Sequence, residues 1–376
     1  MKRQDTSTQG KNDELQPYIP KRKRQQRSNG SKPLNSPGLP SEPGSKIFTL
    51  NPSLVCHIGG KVTCKLPRQQ NRGDYHGHQK AVTSIEWNVP HYSHLLLTSS
   101  LDKEVKIWDC FTKKQCVRTL NCHQASVKSA IWTEDGQNIL SGGFDKLVKL
   151  TDAQYNRTYQ EFELPSFVTC LKMCPSDSQL FLAGTDDSGI YCWDMRIGEI
   201  IHRYKGNFGQ ILALEILPGR EEFLASCDFV CRNSGDRNIM VFDLRSTALL
   251  SNQIYHEKYT CPSLRGHPDG SVFVAQSNAN YAAMFSTKPP FRLNKFKRFE
   301  GHQVEGYQIG CDISPDGSVF ASGSSDGKLF LYNFTSTELI KTIDAYDSAC
   351  SNIQFHPVLG NMLASCSWDG KVTIWR

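Results

Sequence analysis

Four patterns in this sequence could carry chemistry. Gly323-Ser324-Ser325-Asp326-Gly327 reads as Gly-x-Ser-x-Gly, the turn that exposes a nucleophilic serine in many hydrolases. That chemistry needs a strand running into a helix. Here both flanks read as strand, which points to an ordinary hairpin turn. Cys170-x3-Cys174 and Cys227-x3-Cys231 bring thiols near one another. They lack the tight spacing and the second pair of a zinc site. No catalytic group, cofactor or metal is expected.

The third pattern is the run from Phe291 to Phe299. It interleaves Phe291, Phe296 and Phe299 with Arg292, Lys295, Lys297 and Arg298. Aromatic rings can stack on bases while cations meet phosphates. The same pattern suits an outer edge strand, with apolar residues turned inward and lysines guarding the edge. The edge strand is the favoured reading. The fourth pattern recurs: a polar turn residue, usually an aspartate, followed six residues later in most copies by an aromatic.

The fourth pattern needs elements that repeat. Polar turn anchors stand at Asp102, Asp145, Asp187, Asp236, Asn280, Asp326 and Asp369, spaced by 43, 42, 49, 44, 46 and 43 residues. Six residues after each lie Trp108, Thr151, Trp193, Phe242, Ser286, Tyr332 and Trp375. Around the anchors the chain alternates apolar and polar, as in Val105-Lys106-Ile107 and Val372-Thr373-Ile374, which is the period of a strand. Asp-Gly pairs at 135–136, 269–270, 316–317, 326–327 and 369–370 supply the positive-φ residues of tight turns.

With Gly77-His78 early and Trp108-Asp109 late in the unit, and Gly301-His302 with Tyr332-Asn333 in a second copy, the sequence resembles the WD-repeat family. The resemblance covers about 315 residues and implies an all-β, seven-bladed WD40-type β-propeller. It implies a buried tetrad of His78, Thr98, Asp102 and Trp108 in blade one. Blade two would hold His123, Ser141 and Asp145, with Thr151 in place of tryptophan. Blade six would hold His302, Ser322, Asp326 and Tyr332. Blade seven keeps Ser365, Asp369 and Trp375, with Tyr346 near the histidine position. Blades three to five are degenerate and are expected to rely on their neighbours. The chain ends just after Trp375, so the last blade needs a fourth strand. Residues 61–66, Lys-Val-Thr-Cys-Lys-Leu, are the expected closing strand.

Charge divides the chain. The net +6 lies wholly in residues 1–60, which hold ten Lys/Arg and four Asp/Glu, whereas 61–376 hold 33 of each. The first sixty residues also carry seven of eighteen prolines and no tryptophan. They read as a disordered basic tail attached to a neutral propeller. Neutrality argues against broad electrostatic binding of nucleic acid by the folded part. Lys21, Arg22, Lys23, Arg24 and Arg27 in the tail fit the acidic groove of a nuclear import receptor. A solvated linker and direct phosphate binding are the alternatives. The polar N-terminus shows no signal-peptide core, and no apolar run approaches the ~18 residues of a membrane span. The fourteen cysteines are therefore expected in a reducing compartment.

Two finer resemblances bear on function. Phe291-Arg292-Leu293-Asn294-Lys295 followed by Phe299-Glu300-Gly301-His302 and Gly306-Tyr307 resembles a branch of the family that contains a second-step splicing factor. Within that branch, Ser251-Asn252-Gln253-Ile254, Thr260-Cys261-Pro262-Ser263-Leu264 and Gln16-Pro17-Tyr18-Ile19-Pro20 are more similar to a sister member of less defined role. This implies a nuclear interaction scaffold with spliceosomal partners. Separately, Trp193-Asp194-Met195-Arg196 and Phe242-Asp243-Leu244-Arg245 resemble the Trp-Asp-x-Arg box of cullin-RING substrate receptors. That resemblance implies adaptor contacts through Trp193, Asp194, Arg196, Asp243 and Arg245. The longest repeat carries an insertion at 227–235, read either as a binding loop at one rim or as a passive extension.

Overall fold

Short alternating runs joined by tight turns pair most easily with their immediate neighbours, antiparallel. Seven sets of them do so here. The structure, a computed structural model, describes residues 47–67, 71–187, 189–206, 209–228, 238–252, 254–255 and 259–376. Among these residues the strands form seven four-stranded antiparallel sheets, the blades of a β-propeller. Blade one is Val82–Trp87, Leu95–Ser100, Val105–Asp109 and Gln115–Leu120, in that order from channel to rim. The Asp-Gly turns take positive φ as the sequence requires: 67° at Gly136, 81° at Gly327 and 88° at Gly370.

The core lies between blades. One apolar cluster joins Val82, Trp87 and Trp108 of blade one to Ala364, Val372 and Ile374 of blade seven. Another stacks Phe162 against Phe181 and Trp193, across blades two and three. Each sheet therefore buries its faces only against its neighbours, and blades stabilise one another rather than folding singly.

Two sequence expectations are corrected here. The closing strand is Asn71–Tyr75, not residues 61–66. It pairs Gly73 with Ile374 and Tyr75 with Val372, and the buried Tyr75 ring packs edge-on against Trp108 at 5.5 Å. Residues 61–66 instead run as an extended strap without ladder pairing. The Cys64 N–H donates to Asp316 Oδ2 at 2.6 Å and the Lys65 N–H to the Gly360 carbonyl at 3.1 Å. The strap passes so close that a Cβ on Gly360 would run into the Thr63 carbonyl. Cys64 and Leu66, two of the alternating apolar residues, pack on the core between blades six and seven rather than marking a ladder.

The second correction concerns the boundary at residue 60. Residues 47–60 pack on the propeller. Ile47 is buried, donates to Gln154 Oε1 and accepts from His94 Nε2, each at 3.0 Å. A short helix, Pro52–Val55, is capped by Asn51, whose Oδ1 accepts the Ser53 N–H at 3.0 Å, and buries Leu54. Contacts divide the chain into units 1–45 and 46–376.

Candidate functional site

The tetrads come first because their residues are the most chemical in the sequence. In blade one, His78 Nδ1 meets Asp102 Oδ2 and His78 Nε2 meets Thr98 Oγ1, both at 2.8 Å. Trp108 Nε1–H donates to the same hydroxyl at 2.8 Å. Asp102 also accepts the backbone N–H groups of Gln79 and Glu104 at 3.0 Å. Burial opposes its charge, but these hydrogen bonds prevail and hold the carboxyl down at about 2. Blade two keeps the histidine part: His123 lies 2.7 Å from both Asp145 and Ser141. There the Asp145 hydrogen bond outweighs burial and raises the imidazole to about 9, with help from Cys122.

Blade six is a correction. His302 Nδ1 meets the Tyr332 hydroxyl at 2.9 Å, and that hydroxyl donates to the Glu300 carbonyl at 3.0 Å. Asp326 pairs outward with Lys328, and Ser322 accepts from Gln276 Nε2. A phenol hydroxyl both accepts and donates, whereas an indole only donates. Tyr332 can therefore meet the Nδ1 of a neutral imidazole and a carbonyl together, and the tetrad gives way, leaving the buried His302 Nε2 without a partner among the described residues. Burial pulls His302 down to about 4. In blade seven, Ser365 receives both the Trp375 indole at 2.8 Å and the Tyr346 hydroxyl at 2.7 Å, while Asp369 pairs with Lys371 at 2.9 Å. In blade three the buried Trp193 Nε1 has no acceptor among the described residues. Blade five substitutes a Tyr255–Ser277–Tyr281 cluster.

The central channel holds groups that the sequence reading passed over. The innermost strands place one side chain each at the same level: Glu86, Ile131, Lys172, Glu215, Arg265, Asp312 and Gln354. An innermost strand is a sheet edge, and its outward N–H groups need acceptors. Four of these side chains reach into the next blade to supply them. Glu86 accepts the Trp132 N–H, Asp312 the Phe355 N–H and Gln354 the Trp87 N–H, each at 2.7 Å. Glu215 accepts the Gly266 N–H at 3.2 Å. The cations bind the acids: Lys172 Nζ lies 2.7 Å from Glu215, and Arg265 lies 3.4 Å from Asp312 and 3.7 Å from Glu215. Burial would raise Glu215, but Lys172 and Arg265 hold it below the usual carboxylate range. Burial pushes Asp312 up despite Arg265, and pushes Glu86 up to about 7. The signal for this ring was present in six of the seven inner strands, as a charged or amide residue one position before the strand's last, with Ile131 the exception.

Comparison with known proteins fits this geometry. The family model of the WD domain, G-beta repeat, matches residues 69–109, 114–152, 156–194, 293–333 and 337–376, more than half of the chain. The chain belongs to the WD-repeat family. Mouse (Mus musculus) WD repeat-containing protein 25 is 38% identical over 371 residues, which is 96% of this chain and 69% of that protein. Human (Homo sapiens) pre-mRNA-processing factor 17 is 29% identical over 83% of this chain and 53% of its own length. The Saccharomyces cerevisiae protein of the same name is 27% identical over 83% of this chain and 67% of its own length. This WD-repeat chain thus spans about half the length of the human splicing relative.

Other sequence sites fall as follows within the WD-repeat ring. Arg196 forks onto the carboxylate of Asp194, with its Nη2 at 2.6 Å, while its guanidinium stays 57% exposed. Arg245 pairs with Glu221 at 2.5 Å and is 76% exposed. Asp243 caps its turn by accepting from Ser246 N–H and Oγ. Trp193 is buried, so only the arginine ends of these boxes face outward. The run from Phe291 ends in an outer edge strand, Leu293–Glu300, with Phe291 and Phe299 buried, as the edge reading expects. A bulge at Ala283/Phe285 leaves Phe296 97% exposed. Gly323–Gly327 is a turn between two strands. Lys21–Arg27, Asp236, His256 and most of the 227–235 insertion lie outside the described residues.

Proposed function

We propose that the protein is a non-catalytic docking platform that works in the nucleus, in the assembly of pre-mRNA splicing ribonucleoproteins. The carrying observation is the likeness to pre-mRNA-processing factor 17, which extends over 83% of the chain. A propeller presents rigid loops and channel mouths, and docking needs no reacting group. The basic cluster at Lys21–Arg27 supports entry through an import receptor.

Affinity purification of the tagged full chain from nuclear extract tests the reading. Enrichment of spliceosomal proteins over a propeller control is the expected result; no enrichment would overturn it. The exposed guanidiniums of Arg196 and Arg245 favour one competing reading, a cullin-RING substrate receptor. That reading requires capture of the cullin adaptor, abolished in the Arg196→Ala/Arg245→Ala double variant. Import through the tail predicts that alanine at Lys21, Arg22, Lys23 and Arg24 leaves a tagged protein cytoplasmic. Continued nuclear accumulation would refute it.

A further inference from the structure

At the channel end opposite the turn anchors lies a cavity of about 380 Å³. Trp87, Trp132, Met173, Ile216 and Phe355 form an apolar wall around it, and Glu86 reaches it from the channel ring. Three observations set its chemistry. First, Glu86 uses Oε2 to accept the Trp132 N–H, and among the described residues it has no cation within ion-pair distance. The nearest ammonium on the wall, Lys172, is already neutralised by Glu215 at 2.7 Å. Exposed Glu134 adds a second acid at the lining, so the cavity is negative overall. Second, neither wall tryptophan offers the cavity a free N–H: Trp87 Nε1–H donates to the Gln354 carbonyl at 3.3 Å, and Trp132 Nε1 is closed to solvent, with no acceptor among the described residues. Third, the wall is apolar enough to cover the methylene stem of a long side chain.

We propose that this cavity docks a basic side chain carried on an extended segment of a partner protein. Glu86 receives the ammonium or guanidinium group and the tryptophan wall covers the stem. The free carboxylate oxygen selects for positive charge, and the apolar wall selects for a long side chain. The inference concerns the cavity and stands whether or not the partner belongs to the splicing machinery.

The test uses the full chain and four bead libraries of nine-residue peptides. Their central residue is fixed as lysine, arginine, norleucine or glutamate, and the flanks are randomised. Expected is retention on the lysine or arginine library at least tenfold above norleucine, with none on glutamate. Glu86→Gln keeps an acceptor for the Trp132 N–H, so the strand contact survives; it should reduce basic-library retention to the norleucine level. Trp132→Phe should weaken basic peptides severalfold without changing the preference for charge. Thermal midpoints no lower than the parent's in both variants confirm that folding is not the cause. Equal retention of the lysine, arginine and norleucine libraries, none included, would overturn the proposal. So would basic-library retention that Glu86→Gln leaves intact.

Discussion

Two regions of the propeller hold the same chemical groups to opposite effect. In the blade-one tetrad, every polar atom of His78, Thr98, Asp102 and Trp108 that needs a partner finds one inside the blade. In the channel ring, the Glu86 carboxylate makes one hydrogen bond and, among the described residues, meets no cation within ion-pair distance. The first arrangement consumes its polar capacity in holding strands together. The second leaves capacity facing a cavity. In a repeat fold, residue types that recur in register serve the repeat, and those that depart from register are free for a partner.

The comparison can be broken most forcefully at its satisfied end. Asp102→Ala removes the acceptor of His78 and of two backbone N–H groups, and should cost about 3 kcal/mol in urea unfolding. Asp326→Ala, in the blade where the tetrad gave way, should cost under ~0.5 kcal/mol, because Asp326 meets only exposed Lys328. Equal losses would mean that both blades share one network. Next comes Arg265→Met, which leaves Asp312 in the channel wall without its cation while Lys172 still holds Glu215. It should cost about 2 kcal/mol, less than a fully buried pair because the channel admits water.

Glu86→Gln should act in the other direction. Folding raises the Glu86 carboxyl from 4.5 to about 7, so the folded state holds the proton more tightly. Its charge therefore opposes folding increasingly as pH rises from 4.5 to 7, and fully above 7. The variant should be stabler than the parent by about 1 kcal/mol at pH 8, with the ionisation gain gone by pH 4. Thermal midpoints at the two pH values check this, and a gain that grows on acidification would be the wrong sign. The smallest effect should be at Arg196→Ala and Arg245→Ala, under ~0.5 kcal/mol each, since exposed ion pairs contribute little.

Much of this was legible in the sequence where side chains set the structure. Seven anchors at near-constant spacing gave the blades, and Gly-His, Thr98, Asp102 and Trp108 gave one complete tetrad. Legibility failed where the backbone or distant strands decide. Asn71–Tyr75 closes the ring through main-chain pairing, and Asn-Arg-Gly-Asp-Tyr carries no alternation to announce a strand. Residues 61–66 alternate, yet they run as a strap that sets Cys64 and Leu66 on the core. In blade six, the one difference between a phenol and an indole redirected His302. The ring's polar residues were visible one strand at a time but their meeting was not, because Trp87 and Gln354 bond only after 267 residues of chain have closed on themselves.

One titration tests the division between spent and unspent groups most directly. With 13C-labelled Asp and Glu side chains, the carboxyl carbons of Asp102 and Glu86 can be followed by NMR in a single sample. Asp102 should stay ionised down to about pH 2 while Glu86 takes up its proton near pH 7. Both groups titrating together near pH 4 would contradict the account.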